Sequence, residues 1–120
     1  MLIDDVQTPA VLVDRGRLDR NIKHMQSRAT EQNVAVRPHI KTHKSVDIAK
    51  RQVDQGADGL TVATVPEAEA FVAAGFDDIR LAYTVIGADK YERLLALMDD
   101  ARISFCVDTR AGIAQASDFF

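Results

Sequence analysis

Residues 55–85 read QGADGLTVATVPEAEAFVAAGFDDIRLAYTV, and this stretch decides the fold class. It holds two apolar runs of strand length, residues 60–65 and 79–85, on either side of a segment with apolar residues three and four positions apart. Thr64 and Glu67 have the spacing of a capping box, which predicts that the intervening helix begins there. Strands that alternate with helices in this way predict a parallel sheet with helices packed on it.

The same junction occurs twice in this stretch. The segments QGAD at residues 55–58 and AGFD at residues 74–77 each follow a helical stretch and precede a strand. Glycine at such a place takes the left-handed conformation that closes the last turn of a helix. Two further strand-like runs, residues 34–40 and 103–107, extend the pattern in both directions, and a stretch of helical period follows each.

Two architectures accommodate this order of elements. One is a small doubly wound sheet, and the other is a (β/α)8 barrel, which needs about 250 residues. A helix is predicted to begin near Asp14, a suitable N-cap, after a short apolar run at residues 10–13 that could form a strand. The last helical stretch begins at Arg110 and stops on two large apolar residues, Phe119 and Phe120. This ending favours a partial TIM barrel: the first four βα units, preceded by a short strand and a helix.

Composition excludes several classes of protein. The 120 residues include 15 basic and 18 acidic side chains, which gives a net charge of −3 and argues against nonspecific nucleic-acid binding. No apolar stretch approaches the roughly 20 residues of a membrane helix. Cys106 is the one cysteine, so no internal disulfide can form, and the N-terminus has no signal-peptide pattern. We therefore predict a cytoplasmic protein without a nucleic-acid or membrane partner.

The segment RPHIKTHK at residues 37–44 carries the chemistry. Side chains alternate along a strand, so Arg37, His39 and Lys41 share one face. Because both faces of a parallel sheet are normally covered, a row of cations there needs a reason. Lys41 would lie at the carboxyl end of its strand, where α/β folds place ligands. Partial desolvation beside other cations would favour the neutral amine that a Schiff base requires. The pattern alone nevertheless favours a solvated surface over a catalytic lysine.

The same segment resembles the cofactor-lysine segment of D-threonine aldolases and D-serine dehydratases. These are pyridoxal-phosphate enzymes of the alanine racemase, or fold type III, class. The resemblance extends to TPAVLVD at residues 8–14, to Asn21, to VATVPEAE at residues 62–69 and to AAGFDDI at residues 73–79. It stays in register and covers nearly the whole chain.

The resemblance implies a cofactor and its ligands. Lys41 would form the internal aldimine with pyridoxal 5'-phosphate. His39, Arg37 and Thr61 would be the further cofactor-binding candidates. Each has a structural alternative: His39 as a hydrogen-bonded barrel histidine, Arg37 in an interior charge network, and Thr61 as an ordinary strand residue. The phosphate-binding loops, and the ligands of a divalent metal that the full enzyme could use, would lie outside this chain.

The resemblance also implies a longer enzyme. Residues 1–120 would be the N-terminal part of a barrel domain that is followed by a β-rich domain in a homodimer. The expected function is that of a lyase on small D-β-hydroxy amino acids, either aldol cleavage of D-threonine or dehydration of D-serine. The alternatives are an amino-acid racemase of the same fold, a non-catalytic pyridoxal-phosphate-binding barrel, and a compact five-stranded domain without an active site.

Four other residues carry weaker expectations. His43 and Lys44 would lie in a loop at the rim of the site or, more simply, on solvated surface. Asp108 at the end of the last strand is either a site residue or the cap of the next helix. Tyr83 is expected to pack against helices, since it alternates in phase with two apolar neighbours.

Overall fold

The computed structural model describes residues 3–120 as an α/β structure. Its helices and strands are α1 (Arg15–Glu31), α2 (Val46–Asp54), β1 (Leu60–Val62), α3 (Val65–Ala73), β2 (Asp78–Thr84), α4 (Ala88–Leu97), β3 (Arg102–Cys106) and α5 (Arg110–Phe119). Two single turns of 3-10 helix, Ile3–Asp5 and Ile40–Thr42, complete the regular structure. The alternation predicted from residues 55–85 is therefore present.

The three strands form a parallel sheet in the order β1, β2, β3. Leu60 pairs with Ile79, and Ile79 pairs with Ile103. The segment that precedes β1 joins the same series, because His39 forms a parallel bridge with Thr61. Neighbours in the sheet are thus neighbours in the chain, with no reversal of direction across the sheet. This sequential winding is the one expected of a barrel, whereas a doubly wound sheet places its first strand in the middle.

The prediction of a regular strand over residues 34–40 is wrong. The segment is tied to the β1 region by Asp58 N–H donating to the Val36 carbonyl at 2.9 Å and Thr61 N–H donating to the Pro38 carbonyl at 2.8 Å. Its own donors do not continue the ladder, because Val36 N–H donates to the Asp58 carboxylate at 3.1 Å and Pro38 has no N–H. The segment is extended and bridged at one point, but it is not a full strand.

Two other boundaries differ from the predictions. Residues 10–13 form no strand and are exposed. The second predicted strand is shorter than residues 60–65, because β1 ends at Val62 and Thr64 already serves as the N-cap of α3.

Helix capping follows the local sequence with one exception. Asp14 caps α1, with its Oδ1 accepting from Arg17 N–H at 2.8 Å, and Thr64 caps α3 as predicted. At α5 the cap is Thr109, whose Oγ1 accepts from Gly112 N–H at 3.0 Å. The capping alternative for Asp108 is therefore wrong.

The core lies between the sheet and the helices, so one face of the sheet is covered and the other is open. The largest fully buried side chains are Tyr91, Ile40, Leu60, Ile79, Leu81, Leu94, Val62, Val65 and Val85. Tyr83 packs against this cluster, as predicted. On β2, Arg80 and Ala82 alternate with buried neighbours and are exposed. The open face therefore carries the polar residues of the strands. Within residues 3–120, no helix combines the length and apolarity that a membrane span requires.

Candidate active site

A row of polar side chains crosses the open face of the sheet. His39 pairs with Thr61, Thr61 pairs with Arg80, and Arg80 pairs with Ser104. Residues paired across parallel strands point to the same face, so these four side chains are neighbours in one layer. The sequence predictions included His39 and Thr61 but missed Arg80. The signal was available, because Arg80 is a cation between two apolar residues of a strand in a parallel sheet.

Lys41 lies directly beyond this layer, at the carboxyl edge of the sheet. It belongs to the 3-10 turn Ile40–Thr42, in which Ile40 is fully buried. The backbone of the turn is held by His43 N–H and Lys44 N–H, which both donate to the Ile40 carbonyl, at 3.1 and 2.7 Å. The Lys41 side chain is exposed, and its ammonium has no hydrogen bond or ion pair within residues 3–120. A fixed backbone thus presents an unengaged amine, although the expected desolvation is not seen in this chain.

His39 is the N-cap of the turn that carries Lys41, and its imidazole is neutral. Burial and the charge of Lys41 lower the pKa of His39 below its ordinary value of 6.5, against an opposing effect from Glu67. Its Nδ1 accepts from Lys41 N–H at 3.3 Å, so the neutral ring carries its proton on Nε2. At neutral pH the ring presents an N–H donor rather than a second positive charge.

Arg37 lies on the amino-terminal side of this layer, whereas Lys41 lies on its carboxyl side. Its guanidinium binds the Asp78 carboxylate in bidentate fashion, Nη1 to Oδ1 at 2.6 Å and Nη2 to Oδ2 at 3.0 Å, and Arg102 binds the same carboxylate. The Arg37 bonds lower the pKa of Asp78, burial opposes them, and Arg102 adds to the lowering. Gly59 lies against this network, since a Cβ there would be 2.7 Å from the Asp78 carbonyl oxygen. The guanidinium of Arg37 is therefore engaged in a partly buried charge network.

Thr61, on β1, forms a side-chain hydrogen bond to the extended segment that carries Arg37 and His39. It is buried, and its hydroxyl donates to the Arg37 carbonyl at 3.2 Å, which ties the extended segment to β1. Contact of Arg37 or Thr61 with a cofactor stays a prediction.

Lys44 and His43, expected to be rim or solvated residues, both have partners. The Lys44 ammonium forms an ion pair with the buried carboxylate of Glu67 at the start of α3. His43 is half-buried, and its Nδ1 accepts from Ser45 N–H at 3.0 Å. Burial lowers the pKa of His43, with an opposing effect from Gln52. Of the two lysines at this edge, Lys41 is the one with a free amine.

This arrangement is chemically suited to an aldehyde that binds covalently to an amine. Such a ligand needs a free primary amine, a neutral N–H donor on the same turn and an open sheet face at the carboxyl edge. In the part of the chain that the structure describes, no group of three or more His, Cys, Asp or Glu side chains could hold a metal ion.

Comparison with known proteins gives consistent results. The family model described as alanine racemase, N-terminal domain, matches residues 13–119. The chain is 41% identical to a D-threonine aldolase of Arthrobacter sp. over 112 residues, which are 93% of this chain and 30% of that protein. It is 49% identical to the D-threo-3-hydroxyaspartate dehydratase of Delftia sp. strain HT23 over 80 residues, 67% of this chain and 21% of that protein.

A solved structure extends the likeness to the fold. The crystal structure of D-threonine aldolase from Filomicrobium marinum superposes with a TM-score of 0.93 at 38% identity, and the match covers 98% of this chain and 32% of that one. The chain therefore spans about a third or less of the length of these relatives. The resemblance to D-threonine aldolases and D-serine dehydratases, predicted from the segment around Lys41, is confirmed.

Proposed function

The chain belongs to the alanine racemase N-terminal domain family, and from that premise we propose that it forms the N-terminal part of a pyridoxal-phosphate-dependent lyase. Residues 1–120 contribute the first four βα units of a barrel, with the extended segment 34–40 in the place of the first strand. The remaining barrel, a β-rich domain and any ligands of a divalent metal belong to further sequence, as the greater length of the relatives suggests. The full-length protein is a cytoplasmic homodimer.

The observation that carries this proposal is the free amine of Lys41. Pyridoxal phosphate, when bound, supplies an aldehyde that captures amines and a ring system that withdraws electrons from the α-carbon of an amino acid. Lys41 would hold the cofactor through Nζ, and the buried Ile40 beside it keeps the turn in place. His39, whose Nδ1 accepts from the backbone N–H of Lys41, would supply an N–H donor from the same turn without adding charge. When substrate occupies the site, the amine of Lys41 is placed to move a proton.

The substrate class follows from what the relatives are named for. D-threonine and D-threo-3-hydroxyaspartate are both D-amino acids with a hydroxyl on the β-carbon. Aldol cleavage breaks the bond between Cα and Cβ, whereas dehydration expels the β-hydroxyl. Both reactions need the electrons of the α-carbon to be withdrawn, so one cofactor site serves either. Racemisation needs the same withdrawal of electrons, but the relatives are named for aldol cleavage and dehydration, so we propose a lyase on small D-β-hydroxy amino acids and favour it over a racemase.

Borohydride trapping tests this proposal. The experiment uses the protein expressed from its complete reading frame, here called the full-length protein, with pyridoxal phosphate. We expect reduction to leave a phosphopyridoxyl group on Lys41, located by peptide mass spectrometry. Lys41→Ala is expected to abolish both the label and the cleavage or dehydration of D-threonine and D-serine. Lys50→Ala, on the exposed surface of α2, is the matched control and is expected to change neither.

Two outcomes would contradict the proposal. Label on another lysine of the full-length protein would show that Lys41 does not hold the cofactor. Full turnover by the Lys41→Ala variant would show that the chemistry does not pass through this amine. The 120-residue chain by itself is expected to have no such turnover, because the opposing wall of a barrel site is not formed by residues 3–120.

A further inference from the structure

Two lysines lie three positions apart at the carboxyl edge of the sheet, and the structure treats them differently. The Lys41 amine has no partner among residues 3–120. Lys44 has its ammonium on the Oε1 atom of Glu67, a carboxylate from the first turn of α3. Either amine is chemically able to bind an aldehyde. The difference between the two amines therefore comes from the Glu67 carboxylate and not from the chemistry of the lysines.

The Glu67 carboxylate is held in place by burial and by a backbone hydrogen bond. Its side chain is only 10% exposed, and its Oε2 accepts from Ala63 N–H at 2.7 Å, directly beyond the end of β1. Its own N–H donates to Thr64 Oγ1 at 3.2 Å, which completes the cap of α3. A carboxylate with one oxygen on the backbone has the other oxygen in a fixed position. The ion pair thus has a fixed carboxylate, whereas the side chain of its Lys44 partner is 64% exposed.

The charge of Glu67 persists at neutral pH. Burial alone would raise the pKa of this carboxyl, but the bonds from Lys44 and from Ala63 N–H outweigh burial and lower it. The carboxylate is therefore ionised in the range where the proposed reaction would occur, and the ion pair is charge-assisted.

The backbone of Lys44 has a conformation that residues with a Cβ rarely adopt. Its φ is +50°, a left-handed conformation that residues with a Cβ adopt at a cost in free energy. That conformation is held by Lys44 N–H donating to the Ile40 carbonyl at 2.7 Å and by the ion pair at the far end of the side chain. The same turn carries Lys41, so what fixes Lys44 also fixes the start of the Lys41 side chain.

We propose that Glu67 is a positioning residue that selects the cofactor lysine: it engages the Lys44 ammonium and leaves Lys41 as the reactive amine at this edge. The inference rests on the proposed function, since it assumes that an aldehyde binds here. It assigns no contact with substrate or cofactor to Glu67, which acts through Lys44 and through the turn that both lysines share.

The test compares where label enters in wild-type and variant full-length protein. The probes are pyridoxal phosphate with borohydride and, on cofactor-free protein, acetic anhydride at limiting amount. Glu67→Gln removes the charge but keeps an oxygen for Ala63 N–H, so α3 and its cap are preserved. We expect labelling of Lys44 relative to Lys41 to rise by about threefold with both probes, within the range that an ion pair with one exposed partner contributes.

The matched control lies two residues along the same helix. Glu69 forms a bidentate ion pair with Arg93, at 2.7 and 2.6 Å, on the outer surface. Glu69→Gln removes an equal charge and is expected to leave the distribution between the two lysines unchanged. Lys44→Arg keeps a cation on Glu67 and is expected to leave labelling of Lys41 as in wild type, whereas Lys44→Met is expected to slow it severalfold. That rescue by arginine separates a role of the ion pair from a general loss of structure.

The results distinguish the role of Glu67 from the proposed function on which it rests. If wild type is labelled on Lys41 and Glu67→Gln leaves the distribution unchanged, the role of Glu67 is refuted while Lys41 remains the cofactor lysine. If wild type is labelled on Lys44, the proposed function is contradicted, because Lys41 does not then hold the cofactor. An equal shift in Glu69→Gln would show that net charge, and not the Lys44 contact, controls the labelling.

Discussion

The network of Arg37, Asp78 and Arg102 supports the site from the opposite end of the sheet, and Asp78→Asn should weaken it measurably. Removing one partner of a fully buried ion pair costs about 3–5 kcal/mol, whereas exposed pairs contribute about 0–1 kcal/mol. The side chains of Arg37 and Asp78 are 26% and 15% exposed, between these limits, and the Arg102 side chain is 75% exposed and contributes little. We therefore expect the free energy of unfolding to fall by about 2 kcal/mol at pH 7.

The pH dependence of that loss has a definite sign. The bonds from Arg37 hold the pKa of Asp78 below its ordinary value of 3.8, against the opposing effect of burial. Stability from a carboxylate of depressed pKa is fully present above the unfolded value and is lost as pH falls through the folded value. The difference between wild type and Asp78→Asn should therefore be largest near neutral pH and should shrink as the pH falls below 3.8 toward the lower pKa of the folded state, where Asp78 of folded wild type becomes protonated as well.

The assay is urea unfolding of the full-length protein followed by far-UV circular dichroism, at pH 7 and at successive values down to about pH 3. Glu69→Gln is the control, because it removes a carboxylate from an ion pair whose side chains are 43% and 38% exposed. A loss in Asp78→Asn no larger than in this control at neutral pH would refute the reasoning. So would a loss that stays constant as the solution is acidified.

Three other predictions each concern one side chain. Tyr91→Phe should lower the free energy of unfolding by about 1 kcal/mol, because the buried hydroxyl donates to the Val85 carbonyl at 3.0 Å; an unchanged urea midpoint would contradict it. Ile40→Ala should cost about 2–5 kcal/mol and also reduce trapping at Lys41, since it removes the fully buried anchor of that turn; full trapping in a destabilised protein would separate the two roles. His43 should titrate below 6.5 in an NMR titration, and stability should fall as pH drops below that value, because burial disfavours the charged ring; a midpoint at or above 6.5 would be the contrary result.

Local signals predicted the elements well where the interactions themselves are local. The caps at Asp14 and Thr64 bond to N–H groups three positions along, so the residues that define them lie side by side in the sequence. The alternation of buried and exposed residues around Arg80 is equally local, and it showed which residues of β2 face the helices. Identification of Arg80 as part of the polar layer needed the register with Thr61.

The prediction failed where the outcome depended on distant partners. Residues 34–40 have the composition of a strand, but a strand also needs a continuous ladder of donors and acceptors. Asp58, which follows α2, takes the N–H of Val36, and Pro38 offers none. The strand pattern describes side chains, whereas the ladder depends on which backbone groups are already engaged.

The sequence by itself determined the parallel, sequential α/β arrangement and the family, because periodicity, caps and the segment around Lys41 are all readable along the chain. Only the tertiary structure decided which lysine keeps a free amine. Glu67 lies 23 positions beyond Lys44, and the two meet because β1 returns the chain to the same edge of the sheet before α3 begins. An ion pair between such distant residues depends on where each element ends, and no pattern within the lysine segment contains that information.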